Sequence, residues 1–365
     1  MRIAQVAPLY ESVPPKLYGG TERVVSWLSE ELVRLGHDVT LFASGDSLTT
    51  ASLMPCSKES LRLSPESVDH LAHHILLLEK VLAHKDEFDL IHFHIDYIHY
   101  PLSRRERYVH LTTLHGRLDI PDLVPLYETY NDVPVISISE SQRDPLPGLN
   151  WQGTVHHGLP LDNYKFHRNP GRYLAFLGRT SPEKGLDRAI EMAKAAGMPL
   201  RIAAKVDKTD QEYFETVIQP LLNASGMEFV GEIGYPEKND FLGNAAALLF
   251  PISWPEPFGI VMIEAMACGT PVIAYPMGAV PEIISDGVSG YIVSDEEAAL
   301  AAIRNIGQLD RKRVRKHFEQ RFTADRMALD YLKIYERMVS RKKAPLTASS
   351  GVLNWMKLPS ASNTT

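Results

Sequence analysis

The feature that most narrows the folds open to this chain is a repeated change of apolar period. IAQVAP at residues 3–8 reads as a short strand. Val24, Val25, Leu28, Leu32 and Leu35 then recur with helical spacing over 22–35, and Gly36 closes that segment. DVTLFAS at 38–44 is a strand again, a helix is predicted over 67–83, and strands over 88–94, 109–116, 134–139 and 154–158. Strands alternating with helices call for a mainly parallel sheet covered on both faces.

The rhythm stops at LPLDNYKFHRNPGR, residues 159–172, where proline, asparagine and glycine interrupt any period. It then restarts with strand 173–178, helix 183–196, strand 200–205, helix 211–222, strand 227–231, helix 237–244, strand 247–252, helix 260–269 and strand 271–275. The expected fold class is therefore α/β, with two Rossmann-like, doubly wound domains, 1–165 and 166–324, facing across a cleft that holds a ligand. Helices over 296–306, 311–322 and 325–339 follow. The Ser-, Thr- and Pro-rich stretch 341–365 reads as a mobile tail.

With 365 residues, 44% of them hydrophobic, two domains of ordinary size have enough apolar material for their cores. A net charge of -7 with basic and acidic residues interspersed argues against a nucleic-acid partner. Cys56 and Cys268 lie far apart in unlike surroundings, which supports neither a disulfide framework nor a thiolate metal site. MRIAQVAPLYES turns polar too early for a signal peptide, and no apolar run approaches the roughly 20 residues of a membrane span. A cytoplasmic location is the expectation.

Three segments carry the chemistry. GRTSPEKG, 178–185, ends a strand and opens a helix, so Arg179, Lys184 and free helix N–H groups can converge on a diphosphate; a solvated turn with a local salt bridge is the plainer alternative. KLYGGTERV, 16–24, puts Gly19 and Gly20 before a helix N-terminus, and it is not the dinucleotide-binding G-x-G-x-x-G pattern. PEPFGIVMIE, 255–264, places Glu256 in a proline-restrained loop and Glu264 on the second turn of a helix starting near Gly259. Each carboxylate can accept from a pair of vicinal hydroxyls, with the backbone N–H groups of Phe258, Gly259 and Ile260 between them for a diphosphate. A buried salt bridge is the alternative role for Glu264, because a carboxylate in an apolar run needs a polar partner.

The two glutamates with seven residues between them, followed by AMACGTPVIA, resemble the signature of the retaining glycosyltransferases of family four, which have the GT-B fold. GRTSPEKG resembles that family's donor-phosphate motif, GGTE its N-terminal glycine loop, and GAVPEIISDGVSGYIV its continuation, so the resemblance covers roughly residues 1 to 340. It implies that Glu264 holds the ribose hydroxyls of a nucleoside diphosphate sugar, UDP-sugar favoured, and Glu256 those of the transferred hexose. Arg179 and Lys184 would neutralise the diphosphate, Gly20 would approach the donor, and His115 would stand near the reaction centre. GEIGYPEK, 231–238, with Glu232 and Ile233, would take the base through backbone atoms, and the helix at 325–340 would cross back to the N-terminal domain. The resemblance further implies retention by attack on the same face as the leaving phosphate, with no metal and no other cofactor. Ser253, Trp254 and Pro255 depart from the small residues common at those positions, and the indole would either narrow the sugar site or pack the loop.

His92, His94, Asp96 and His99 in HFHIDYIH suggest ligands, yet a pocket-lining or packed role competes well with a metal. His94, Asp96 and Tyr97 are better candidates for acceptor contacts. Together with 16–19 and 117–122, and with Tyr18, Ile98 and Tyr100 as an apolar wall, they suit a small-molecule or glycan acceptor better than a polyanion. The alternatives are a non-catalytic nucleotide-sugar binding protein, or transfer to a lipid-linked acceptor at a membrane surface, for which SRRERY, 103–108, supplies basic residues.

Overall fold

In the computed structural model, which describes residues 1–16 and 19–343, the two series of elements form two wholly parallel sheets. The first contains β1 (Arg2–Val6), β2 (Asp38–Ser44), β3 (Ser52–Ser57), β4 (Leu90–Phe93), β5 (His110–Thr113), β6 (Val135–Ser137) and β7 (Trp151–Thr154), in the order β3-β2-β1-β4-β5-β6-β7. The second contains β8 (Leu174–Arg179), β9 (Leu200–Lys205), β10 (Met227–Gly231), β11 (Ala247–Phe250), β12 (Val272–Ala274) and β13 (Gly290–Ile292), ordered β10-β9-β8-β11-β12-β13. Ile3 pairs with Val39 on one side and Leu90 on the other, so β1 is central, and the order reverses between β1 and β4. The same reversal falls between β8 and β11. Loops leaving the carboxyl ends of these strands diverge and open a crevice in each domain.

The helices of eight residues or more are α1 (Gly20–Arg34), α2 (His70–Ala83), α3 (Leu186–Ala196), α4 (Tyr235–Gly243), α5 (Ile260–Ala267), α6 (Glu296–Asn305), α7 (Arg311–Arg321) and α8 (Ala324–Lys343). The chain passes between domains twice at one place, where Leu159 N donates to Phe322 O and Ala324 N donates to Leu159 O, each at 2.9 Å. From there α8 lies against α1 on the N-terminal sheet. Tyr331 and Tyr335 of α8 are fully buried, worth about 2 kcal/mol each in apolar area. One apolar core therefore runs from Ile3 and Val24 through Leu159 and Phe322 to Phe258 and Met262.

Several elements differ from their expected bounds. The strand predicted over 154–158 lies earlier, at Trp151–Thr154, because the following residues are drawn toward the crossing at Leu159. The helix predicted over 183–196 is divided: Pro182–Lys184 make one 3-10 turn, and α3 starts only after Gly185, whose φ of 71° reverses the backbone. A Cβ there would stand 2.2 Å from Pro251 O, so only glycine fits. Over 211–222 the middle turn widens, with Gln219 N reaching back to Phe214 O just before Pro220, which has no N–H to give. β3 and β13 have no counterpart among the expected strands: one is a half-buried edge strand containing Pro55, the other only three residues long. The tail reading of 341–365 falls mostly on 344–365, outside the described residues.

Candidate active site

A cleft of about 520 Å³ lies between the domains, lined by residues of both. On the C-terminal side, β8 ends in Gly178 and Arg179 and β9 in Lys205, its register partner, so parallel pairing sets two cations side by side at the sheet's carboxyl edge. Arg179 Nη2 stands 3.4 Å from Glu183 Oε1 and Nη1 3.8 Å from Asp207 Oδ2, while Lys205 Nζ lies 2.5 Å from Asp207 Oδ1. Lys184, carried by the short 3-10 turn, donates to Glu256 Oε2. Trp254 does not line the cleft. Its ring takes Lys184 Nζ 4.6 Å from its centroid, with Arg117 Cζ at 5.5 Å, so it packs the loop and clamps the lysine.

Past Glu256 the chain turns at Gly259, which has a φ of 81° and caps α5. A Cβ on Gly259 would come within 2.8 Å of Met262 Cε, and the turn aims the N-terminus of α5 at the cleft. Helix geometry leaves its first N–H groups, around Gly259, Ile260 and Val261, without intrahelical acceptors. Opposite stands α1. Gly19 and Gly20 open it, and a Cβ on Gly20 would touch only Ile260 Cδ1, at 3.8 Å, so the two helix N-termini face each other across the gap. Their partial positive charges add in the same space.

Glu264 is 2% exposed and is met by two groups. Tyr164 Oη donates to Oε1 at 2.8 Å, and Lys238 Nζ lies 2.9 Å from Oε1 and 3.2 Å from Oε2. Burial opposes ionisation, but the Lys238 ammonium and these hydrogen bonds outweigh it and hold the carboxyl below its ordinary range. The salt bridge weighed against a ligand role is thus present; yet an ionised carboxylate offers about four lone-pair sites, and Glu264 still borders the cleft. Glu232 and Ile233 line the same end.

From the N-terminal side comes His115, just beyond β5. Its Nε2 is 2.9 Å from His94 Nδ1, its ring stacks on His157 at 5.4 Å, and burial pushes its pKa down to about 3. His157 lines the cleft next to Phe258, and its Nδ1 is buried with no partner among the described residues. A second cavity of about 270 Å³ adjoins, bounded by Pro8, His94, Asp96, Tyr97 and Ile98, and shares Tyr10, Thr21, Glu22 and His115 with the cleft. Burial raises the Asp96 carboxyl to about 6, partly opposed by the His115 backbone N–H, and raises Glu22 to about 7.

All the expected donor residues meet in one cleft, but the acceptor reading needs correction. Tyr100 is 1% exposed and packs against Tyr127 and Tyr130 inside the domain, and Arg117 pairs with Asp119 at 2.7 Å outside both cavities. Tyr18 lies outside the described residues. His92 and His99 bond to Tyr335, Thr113, Ser103 and Thr112, and among the described residues no three His, Cys, Asp or Glu side chains are placed to hold a metal. Lys205, Lys238 and His157 went unremarked as single residues. A cation ending a strand beside Arg179 was a usable signal for Lys205; nothing local marked the other two.

Residues 18–177 match the family model Glycosyltransferase Family 4, and residues 163–321 match Glycosyl transferases group 1. An uncharacterized glycosyltransferase of Methanocaldococcus jannaschii is 26% identical over 336 residues, covering 80% of this chain and 84% of its own. Among solved structures, AviGT4, a glycosyltransferase involved in avilamycin A biosynthesis, superposes with a TM-score of 0.74 at 23% identity, over 93% of this chain and 98% of its own. HepE of Anabaena, in complex with UDP and glucose, does so at 0.70 and 18% identity, over 92% and 100%.

Proposed function

This chain belongs to the family 4 glycosyltransferases of GT-B fold, and from that premise we propose that it moves a hexose from a nucleoside diphosphate sugar to an acceptor hydroxyl, with retention and without a metal ion. The observation that carries the reading is the convergence of Arg179, Lys184 and two opposed helix N-termini on one cleft. Cleaving the anomeric C–O bond puts negative charge on the departing diphosphate, and fixed positive groups there favour that step without reorganising. When the diphosphate binds, Lys184 turns to it, and the Glu256 carboxylate it releases accepts from the sugar hydroxyls. Glu264 takes the ribose diol with the lone pairs that Lys238 and Tyr164 leave, and Glu232 and Ile233 flank the base. UDP is the favoured nucleotide, as the family resemblance of the sequence motifs implies. The acceptor occupies the second cavity, where the ionisable wall groups are His74, His94, His115, Glu22, Asp96, Tyr10 and Tyr97, with no Lys or Arg among the described residues. Such a wall suits a neutral, hydroxylated molecule.

The test is calorimetry with UDP, GDP and ADP, followed by mass-spectrometric screening of nucleotide sugars against soluble and lipid acceptors. Failure of all three nucleotides to bind at millimolar concentration overturns the donor assignment, and binding without transfer to any acceptor favours a non-catalytic binding protein. One observation favours a second reading, transfer to a lipid-linked acceptor. Leu71, Ile75 and Leu76 are exposed along α2, with Val68 exposed just before it, and the other side of the helix reaches the second cavity through His74. Arg104 of the basic run is instead tied to Asp132 at 3.1 Å. Transfer only in vesicles, lost in Leu71→Ser/Ile75→Ser, supports the lipid reading over the soluble one.

A further inference from the structure

A chain of side-chain hydrogen bonds leads away from His115 into the N-terminal domain. His115 Nε2 meets His94 Nδ1 at 2.9 Å, His94 Nε2 meets Gln5 Oε1 at 2.8 Å, and Gln5 Nε2 donates to Tyr335 Oη at 3.3 Å. Tyr335 Oη lies 2.6 Å from His92 Nδ1, and His92 Nε2 lies 2.8 Å from Thr113 Oγ1, itself 2.9 Å from Tyr331 Oη. Gln5, His92, Thr113, Tyr331 and Tyr335 are 0% exposed and His94 is 2% exposed, so water cannot replace a missing partner. The chain thus links β1, β4, β5 and α8 to the residue at the mouth of both cavities.

Gln5 gives the chain a direction. Its carbonyl oxygen only accepts, so His94 must carry its proton on Nε2. Burial holds both imidazoles neutral, so His94 Nδ1 is an acceptor and His115 Nε2 must donate to it. One nitrogen of His115 then remains without a proton. His115 Nδ1 makes no hydrogen bond among the described residues, and the ring borders both the cleft and the second cavity.

We infer that Gln5 and His94 are positioning residues: they hold His115 in the tautomer protonated at Nε2, so that Nδ1 stands in the cleft as an acceptor for a hydroxyl of the transferred sugar. The reversed Gln5 amide would invert the bonds to His94 and Tyr335 and place the proton on Nδ1, converting that acceptor into a donor. The reversal would also require the other tautomer of His92, with Nδ1 donating to the Tyr335 hydroxyl in place of accepting from it, so the two arrangements differ at both histidines. The inference rests on the glycosyltransferase reading for its sugar, but its tautomer is a property of the free protein.

The experiment is 15N NMR of the full chain labelled at histidine, without donor. The expected result is a His115 ring with a proton on Nε2 and a bare Nδ1; a proton on Nδ1 overturns the inference whatever the donor proves to be. In Gln5→Leu we expect a mixture of His115 tautomers and about a tenfold loss in kcat, with donor KM changed less than twofold. A folded Gln5→Leu variant with unchanged kcat and a single tautomer overturns it. If that variant does not fold, Tyr335→Phe, which removes one oxygen, makes the same test: a loss of about threefold in kcat with mixed tautomers is expected, and an unaltered kcat and spectrum overturn the inference. Absence of any transfer by the wild type refutes the functional reading and leaves the NMR result standing by itself.

Discussion

The two sheets reverse strand order at equivalent places, yet the crevices there are lined by opposite kinds of chemistry. At the C-terminal one, charges are kept and paired: Lys184 with Glu256, Lys238 with Glu264, and Arg179 and Lys205 with Asp207. At the N-terminal one, burial works against charge around His115. His92, His94, His115 and His157 are held neutral, and the carboxyls of Glu22 and Asp96 are pushed up to about 7 and about 6. One architecture therefore supplies the cleft with an ionic wall and, around His115, with a wall of neutral imidazoles, beside which Arg62 pairs with Glu11. The first suits a diphosphate and the second a hydroxyl, and the fold alone explains neither.

The largest expected effect falls on the ionic wall. Lys184→Met should lower kcat/KM by about a thousandfold, since it removes a cation from where leaving-group charge grows. Steady-state assay checks this, and a loss below tenfold would mean that the ionic character of this wall is not what drives the reaction. Glu264→Gln should cost about 3 kcal/mol of stability in urea denaturation, because Lys238 keeps its charge and loses its partner. Adding Lys238→Met should restore most of that stability while donor affinity by calorimetry stays low. Full donor binding in the double variant would reduce Glu264 to a structural role.

The neutral wall makes its own prediction with pH. His92, His94, His99, His115 and His157 have folded pKa values below the unfolded value near 6.5, so the stability they contribute is present above that pH and is lost as pH falls through it. Glu22 and Asp96 act oppositely, since their raised pKa values let the folded state take up protons first. The histidines outweigh the carboxyls, and the protein should be less stable at pH 6 than at pH 7 by roughly 2 kcal/mol. Denaturation at the two pH values would show it, and greater stability at pH 6 would make the carboxyls dominant. The smallest effect belongs to Trp254→Ala. Loss of the ring from Lys184 should raise donor KM about threefold and leave kcat within twofold. A change in sugar selectivity instead would put the indole in the sugar site.

Much of this was legible along the chain. The alternation of periods specified two parallel sheets, and the short segments 16–24, 178–185 and 255–264 carried the glycines, cations and carboxylates that face the cleft. These are local signals: a period needs a few turns, and a loop's position follows from the strand it leaves. The boundaries that failed were those where a distant contact intervened, as Pro251 O does at Gly185 and Phe322 at Leu159. Partnership was likewise decided only in three dimensions. Glu264 required a cation, but that it is Lys238, 26 residues earlier, was not written locally; nor was the binding of Lys184 to Glu256 across 72 residues, or of His92 to Tyr335 across 243. Sequence determined which groups lie at the carboxyl ends of the strands, because hydrophobic period and turn chemistry act over a few residues. Tertiary structure decided which of those groups keep their charge, because burial and pairing depend on neighbours that the chain brings together only when both sheets and α8 have packed.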